Sequence, residues 1–321
     1  MLTISVITPT LNRAHMLSDA LASVAGQTLT PLEYIVMDGG STDGTAELLA
    51  SWQARGMPLD VLSEPDGGLY DAINKGIRRS RGDVICLLNS DDRLPPMALA
   101  EVAAAFAAHP EADCVCGRVL VEPDASAGRA VVLGTPAMQR LRAEDVISGI
   151  VLTNGRFFRR HVFEHAAGYF DPAYPVLADR AFMARVWLAG VRTVPIEGVV
   201  YHYRAHAGSL TFSGRASAGR LQDAIALAAR ELQAARTPRE AWLYHRWLGW
   251  ATGYAIVRGA LRGQLRVVAS ALARGTWQLP TWPWHFLRQL AWHLATRAER
   301  RGCLAPVSAS NAGGKPIAAR P

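Results

Sequence analysis

Lysine is almost missing from this chain of 321 residues: Lys75 and Lys315 are its only two, although Lys and Arg together number 34. The net charge of +7 and the isoelectric point near 9.6 therefore rest on arginine. Such a bias arises from GC-rich coding or from affinity for an anion: a membrane surface, a phosphorylated substrate or a nucleic acid. Charge alone does not choose among them. Cysteine is scarce as well. Cys86 sits in VICLL, Cys114 and Cys116 alternate in CVC, and Cys303 stands apart. No CxxC pair or zinc-knuckle spacing occurs, which predicts buried free thiols in a reducing compartment. No run of about 18 uncharged apolar residues is present to span a bilayer, and the mean hydropathy is near zero at +0.08. The opening MLTISVITPTLNR has neither a basic n-region nor a cleavage site. The expectation is a cytoplasmic protein, with peripheral contact to the inner face of a membrane as a further expectation. Neither GxGxxG after the first strand nor GxxxxGKS/T occurs, which argues against a dinucleotide-binding dehydrogenase and a P-loop NTPase.

What is present is a rhythm. TISVITPT, EYIVMD, LDVLSE, DVICLLN and ADCVCGRVLV read as strands, with Ala14–Gly26, Thr45–Arg55, Leu69–Arg79 and Pro96–Ala108 as helices between them. This alternation predicts right-handed βαβ units and an α/β, Rossmann-like, mostly parallel sheet. After Val121 the rhythm changes. Glu122–Arg129 reads as a hairpin loop, and residues 153–204 combine the short strands GRFFRR, VRTVPI and VVYHYR with a helix over Arg180–Ala189. From about Arg215 the chain reads as helical: LQDAIALAARELQAAR, then 240–274 and 283–301 joined by TWQLPTWPW. The division expected is an α/β domain over 1–212, in two halves (1–120 and 121–212), a helical extension over 213–303 and a disordered tail over 304–321.

Ligands of open parallel sheets bind at the carboxyl ends of the strands. Here those ends carry TPTLNR (Thr8–Arg13), Asp38 with GGSTDGT, Asp66 in EPDGG, and NSDD (Asn89–Asp92). Asp43 reads as a helix cap, and Asp92 partly so, but four polar endings on one edge are hard to explain by capping alone. An acidic crevice repels a diphosphate unless a divalent cation bridges carboxylate and phosphate oxygens.

The segments SVITPTLNR, IVMDGGSTDGT, EPDGGLYDAINKGI and GDVICLLNSDDRLPP, in this order, resemble the nucleotide-sugar domain of the family 2 glycosyltransferases. These are inverting enzymes with the glycosyltransferase type A fold. The resemblance is continuous from about Thr3 to Leu99 and weaker to about Leu210. It implies that Thr8, Pro9 and Thr10 line the nucleobase pocket with Arg13 nearby, that Asp38 accepts a hydrogen bond from the base, and that Asp66 is a second base-contacting acid. Asn74 and Lys75 would lie on the helix facing the donor, Lys75 offsetting phosphate charge unless it is merely solvated. Asn89-Ser90-Asp91 occupies the place of the family's Asp-x-Asp motif, with Asp91 binding Mg²⁺ or Mn²⁺ beside the diphosphate. Asn at the first position departs from that pattern and removes a charge. LADRAFMARVWLAG resembles the acidic acceptor-side motif, with Ala178-Asp179 where Glu-Asp is usual, so that Asp179 aligns with the catalytic base. YHYRAHAGSLT resembles the late histidine motif, with His206 as metal ligand or diphosphate contact and His202 as an outside candidate.

The resemblance therefore implies transfer of a sugar from a nucleotide-diphosphate donor to an acceptor hydroxyl on a saccharide or lipid-linked saccharide, in polysaccharide or glycolipid biosynthesis. Two alternatives remain. A sugar nucleotidyltransferase would open with a Gly-rich phosphate loop, which TPTLNR is not. A non-catalytic nucleotide-sugar-binding module is motivated by the Asn89 and Ala178 departures. In the last third, Trp242, Trp247, Trp250, Trp277, Trp282, Trp284 and Trp292 interleave with Arg246, Arg258, Arg262, Arg266, Arg274, Arg288, Arg297, Arg300 and Arg301. That pattern reads either as a cationic face on anionic lipid or as helices packing their aromatics on the core. A nucleic-acid partner is not expected, because no binding fold accompanies the arginines.

Overall fold

The computed structural model describes residues 2–123, 130–206 and 219–296. The first two strands, β1 (Ile4–Thr10) and β2 (Glu33–Asp38), are buried at every position. Near-continuous burial of this kind marks central strands covered on both faces. With β3 (Leu59–Ser63) and β4 (Val84–Leu87) they form a parallel set in the order β3-β2-β1-β4. Between them run α1 (Ala14–Ala25), α2 (Thr45–Ala54) and α3 (Leu69–Arg79), and α4 (Ala98–Ala108) follows β4. Alternate residues along each strand point to opposite faces. Ile7, Ile35, Ile85 and Phe158 join one buried cluster with α3, and Val6, Val36, Cys86 and Phe157 join another with α1, α2 and α4.

The second half completes the same sheet by a less regular path. β5 (Cys114–Pro123) pairs antiparallel with β6 (Val131–Leu133) and with β7 (Arg156–Arg159), and β7 stands between β4 and β5, antiparallel to both. Two short helices, α5 (Pro136–Gln139) and α6 (Ala143–Ser148), fall in a stretch that the sequence pattern left unassigned. A single π-turn at Val162–Ala166 precedes α7 (Ala178–Leu188). VRTVPI and VVYHYR, expected as two strands, are one strand, β8 (Thr193–Ala205), which runs parallel to β5 with register shifts near Cys116 and Arg118. The polar Glu197-Gly198 pair makes this run look interrupted in sequence, but the bulge absorbs it without ending the pairing.

The C-terminal helices are α8 (Gly219–Ala234), α9 (Pro238–Leu261), α10 (Leu265–Gln278) and α11 (Trp282–Ala295). The helix expected over 240–274 is divided at Gly263, whose φ of +66° terminates α9. α10 and α11 extend into TWQLPTWPW and leave only three residues between them. α9 starts with a capping box, in which Thr237 accepts from the Glu240 N–H and Glu240 reaches back, and has Pro238 at its first position. Gly249 and Gly253 let α11 approach closely: a Cβ at Gly253 would lie 2.3 Å from Phe286. Buried residues of α8 and α9, among them Ile225, Leu243 and Trp247, belong to the same cluster as Phe182 of α7. Arg246, grouped by sequence with a cationic face, is instead buried, where it donates to Glu144 and Gln289. Trp247 is buried and Trp250 stacks on Phe286, so these tryptophans pack inward. Cys86, Cys114 and Cys116 are buried free thiols, as expected, and burial pushes the Cys114 thiol up to about 12. Cys303, Lys315, Arg297, Arg300, Arg301, the tail and the Gly208–Thr211 part of the histidine motif lie outside the described residues.

Candidate active site

The carboxyl ends of β1 and β4, the loop after β3 and the segment following α6 surround a cleft of about 830 Å³. That lies within the range of about 300–1,000 Å³ usual for ligand sites. Of the residues singled out from sequence, Pro9, Thr10, Arg13, Asp66, Asn89, Ser90, Asp91 and Asp179 line it. Thr8, Asp38, Asn74, Lys75 and His206 are not among its lining residues.

The local chemistry explains most of these placements. Thr8 is buried and its hydroxyl bonds to the Tyr34 hydroxyl at 3.0 Å. The Thr10 hydroxyl is buried with no partner in the described structure. Asp38, at the end of β2, is buried and accepts from the Ser41 N–H (3.2 Å), the Ser41 hydroxyl (2.5 Å) and the Ser63 hydroxyl (2.6 Å). The neighbouring Gly39 gives Asp66 its room, since a Cβ there would lie 2.7 Å from Asp66 Oδ2. Asn74 is engaged twice with the Phe170 main chain: its amide donates to the carbonyl at 2.8 Å and its oxygen accepts from the N–H at 3.0 Å. It thereby ties α3 to the segment that leads into α7. Lys75 forms ion pairs with Glu64 (2.9 Å) and Asp71 (3.3 Å).

The loop after β4 is the most heavily organised part. Asp92, read from sequence as partly a cap, is instead a buried hub. It accepts from the Tyr201 hydroxyl at 2.7 Å, the Arg204 N–H at 2.9 Å and the Asn89 amide at 3.0 Å. Burial first, and the charge of Asp91 second, push its carboxyl up to about 7. The Tyr201 hydroxyl also accepts from the Asn89 N–H at 3.1 Å. These bonds account for the departure at position 89: an amide donates to Asp92, whereas a carboxylate would face a buried carboxylate. Arg93 and His202 exchange main-chain hydrogen bonds across an antiparallel bridge. The outside candidate His202 therefore belongs to the clasp, and its ring sits near Glu122 rather than Asp91. The clasp lets the end of β8 deliver His206, whose Nε2 lies 3.0 Å from Asp91 Oδ2. Arg13 approaches the same oxygen at 3.5 Å.

Across the cleft, Asp179 is the second residue of α7. Leu177 holds the N-cap position without a side-chain bond, and Asp179 Oδ1 accepts from the Arg180 N–H at 2.6 Å. Burial, and then the Asp179 charge, hold the hydroxyl of the half-buried Tyr70 well above the usual tyrosine range. The Arg180 guanidinium turns away and donates to the carbonyls of Val146 (2.5 Å), Gly149 (2.9 Å) and Asp145 (3.3 Å). Sequence reasoning missed Arg180, Tyr201 and Asp92 as organisers of the site. Only the spacing of Asp92 beside Asp91 hinted at a second role.

Asp91 and His206 together fit a divalent cation: one hard oxygen that lines the cleft and one imidazole nitrogen beside it. Among the described residues no three His, Cys, Asp or Glu side chains gather as a self-sufficient metal cage. A cation here would share its coordination with a bound ligand.

A mostly parallel α/β sheet with helices on both faces, a cleft at its carboxyl edge and a set of C-terminal helices has the architecture of a type A glycosyltransferase. The fold matches S. aureus TarS 1–349 in complex with UDP-GlcNAc at a TM-score of 0.67, with 16% identity over 94% of this chain and 92% of that one. It also matches the mannosyltransferase PcManGT from Pyrobaculum calidifontis in complex with GDP-Man and Mn²⁺, at 0.54 and 21% identity over 91% and 86%. Residues 5–166 match Glycosyl transferase family 2, and the chain belongs to that family. It is thus a transferase enzyme. A PGL/p-HBAD biosynthesis glycosyltransferase of Mycobacterium bovis is 34% identical over 184 residues, covering 56% of this chain and 68% of its own length. The glycosyltransferase EpsJ of Bacillus subtilis is 28% identical over 218 residues, covering 65% and 62%.

Proposed function

We propose that the protein is an inverting, divalent-metal-dependent transferase that moves a sugar from a nucleotide-diphosphate donor to an acceptor hydroxyl in surface polysaccharide or glycolipid assembly. The observation that carries this is the contact of Asp91 with His206 beside a cleft that Asp91 and Asp179 both line. A relative named for PGL/p-HBAD biosynthesis and neighbours in complex with UDP-GlcNAc or with GDP-Man and Mn²⁺ support it. Residues 1–212 act as the catalytic domain, donor half first, and 213–303 as its helical extension.

In this reading Pro9, Thr10 and Asp66 border the nucleoside, and Asp38 meets the base by exchanging one of its serine donors for a ring N–H. Thr8 and Asn74 hold the pocket's walls. Ser90 and Asn89 border the ribose and diphosphate, Arg13 places positive charge beside them, and Lys75 contributes at longer range. Asp91 and His206 hold Mg²⁺ or Mn²⁺, which when bound offsets the charge of the departing diphosphate. Asp179 removes the proton of the acceptor hydroxyl as its oxygen attacks the anomeric carbon from the face opposite the diphosphate. Such base assistance contributes about 10²–10⁴-fold. No helix among the described residues is long and apolar enough to cross a membrane. The C-terminal helices instead rest on an anionic membrane surface through exposed side chains that include Trp284 and Arg288.

The test is nucleoside diphosphate release from a panel of UDP-, GDP- and dTDP-sugars with Mg²⁺ or Mn²⁺. Metal-dependent release from one donor is expected, with Asp91→Ala abolishing it and Asp179→Asn lowering transfer by about 10²–10⁴-fold. Donor binding by calorimetry without turnover of any donor would favour a non-catalytic module.

A further inference from the structure

The cleft is lined by two kinds of side chain. Arg13, Asp66, Asn89, Ser90 and Asp91 are polar, whereas Val121, Leu133, Ile150, Val151, Leu152 and Val176 make an aliphatic wall. Val121 and Leu133 stand on the paired strands β5 and β6, and Ile150, Val151 and Leu152 are consecutive. Two polar neighbours of the wall are turned elsewhere: the Arg180 guanidinium donates to carbonyls, and the Thr153 hydroxyl is buried away from solvent. Asn154, Asp179 and Tyr203 also line the cleft.

This apolar wall is built, not incidental. The segment 149–155 that carries Ile150 is pinned along its length. Ser148 accepts from the Gln289 amide at 2.6 Å, Gly149 accepts from Arg180 at 2.9 Å, and Leu152 accepts from the buried Arg156 at 2.6 Å. Position 149 has no room for a side chain, since a Cβ would lie 2.7 Å from the Asp145 Cα, and Gly155 turns the chain at φ +78°. Held this way, Ile150 remains 51% exposed although it lines a cleft. A rigid segment that keeps a large aliphatic side chain in water has not been able to relieve that exposure by collapse.

A bare saccharide is a poor occupant of such a wall. Each ring hydroxyl placed against it would lose water without gaining a partner. An alkyl or aryl group would instead bury Ile150 and its neighbours while leaving Asp179 to the one hydroxyl that reacts. From this we infer that the acceptor is an amphiphile, with its reacting hydroxyl on or directly beside an apolar alkyl or aryl group that seats on the Ile150 wall. This rests on reading the cleft as a glycosyl-transfer site. It makes Ile150 a specificity-determining residue.

The experiment compares equilibrium binding of methyl, octyl and phenyl glucosides and galactosides by calorimetry, with octyl compounds below their micelle concentration. Wild type, Ile150→Ser and Ile150→Leu are used as full-length protein. The octyl or phenyl compound is expected to bind about tenfold or more tightly than its methyl counterpart. Ile150→Ser removes most of that preference and Ile150→Leu keeps it. The stronger of the octyl and phenyl arms tells an alkyl from an aryl acceptor. Equal affinity for methyl and apolar glycosides, no binding of any of them, or a preference indifferent to Ile150→Ser would overturn the inference; the last would place the apolar group on another surface. Donor hydrolysis to water, measured in parallel on the wild type, reports on the proposed activity separately: its absence would count against the glycosyl-transfer reading, not against the apolar preference.

Discussion

Asn89 shows how one atom can decide what a position tolerates. Its amide nitrogen donates to Asp92, a carboxyl already pushed up to about 7 by burial and by Asp91. Asn89→Asp restores the family pattern in sequence but replaces a donor by a second acid against a buried one. The expected outcome is a loss of about 1–3 kcal/mol of stability, visible as a lowered urea midpoint, with no gain in metal affinity by calorimetry. A variant as stable as wild type that binds Mn²⁺ more tightly would show that Asn89 is free to face the ligand. Asp179 illustrates the opposite case. It accepts a cap-like bond from the Arg180 N–H and at the same time lines the cleft, so its place in the first turn of α7 is compatible with a base.

At the scale of elements, β8 and α11 join distant parts of the chain to the site. β8 brings Tyr201, Arg204 and His206 onto the 89–93 loop from more than a hundred residues away. α11 buries Gln289 against α6 and presents Trp284, Leu287 and Leu294 outward, at 67%, 56% and 62% exposure. These three fall at the 3- and 7-residue spacings of one helical face. No Asp or Glu occurs between Glu240 and Glu299, so the arginines on this surface lack intervening acids. The combination suits anionic headgroups, with tryptophan at their level. Cosedimentation should show association with vesicles containing phosphatidylglycerol and little with pure phosphatidylcholine. The double substitution Trp284→Ser, Leu287→Ser should weaken it about tenfold or more. Equal retention of the double variant would remove α11 from the contact.

Across the whole molecule, the two edges of the sheet have separate tasks. The carboxyl edge holds the cleft, and the amino edge is fastened by carboxylates. Asp83, before β4, accepts from the N–H and hydroxyl of Thr3 at 2.9 and 2.8 Å, and these bonds hold its carboxyl below the usual range. At Asp113, before β5, burial acts upward but is outweighed by bonds from Arg192. A depressed folded-state value means that the native state binds fewer protons than the unfolded one. The stability from these groups is thus complete above the unfolded carboxylate value of about 3.9 and is lost as pH falls through the folded value. Asp83→Asn should therefore be less stable than wild type at pH 7 by denaturant titration, with the gap closing below about pH 3. A gap that persists there would mean that the contact does not depend on charge.

The parallel core was legible in sequence because its signals are local. Short, nearly uninterrupted apolar runs in ISVITPT and EYIVMD, helices of two to three turns between them, and acids at the strand ends each occupy a few consecutive residues, and β1, β2 and α3 follow the expected bounds closely. The chain itself also determines the family, through ordered motifs over residues 5–166. Tertiary structure decided what depends on partners far along the chain. No local pattern states that β7 inserts antiparallel between β4 and β5, that Asp92 is a buried hub for Tyr201 and Arg204, or that Arg246 is buried against Glu144 and Gln289. The same holds for the apolar half of the cleft. Val121, Leu133 and Ile150 are ordinary aliphatic residues in sequence, and only the fold brings them to line one cleft, with the segment around Ile150 held by Arg156 and Arg180. Burial and hydrogen bonding between distant segments are collective properties of the packed chain, so a residue's type constrains its chemistry while the fold determines what that chemistry faces.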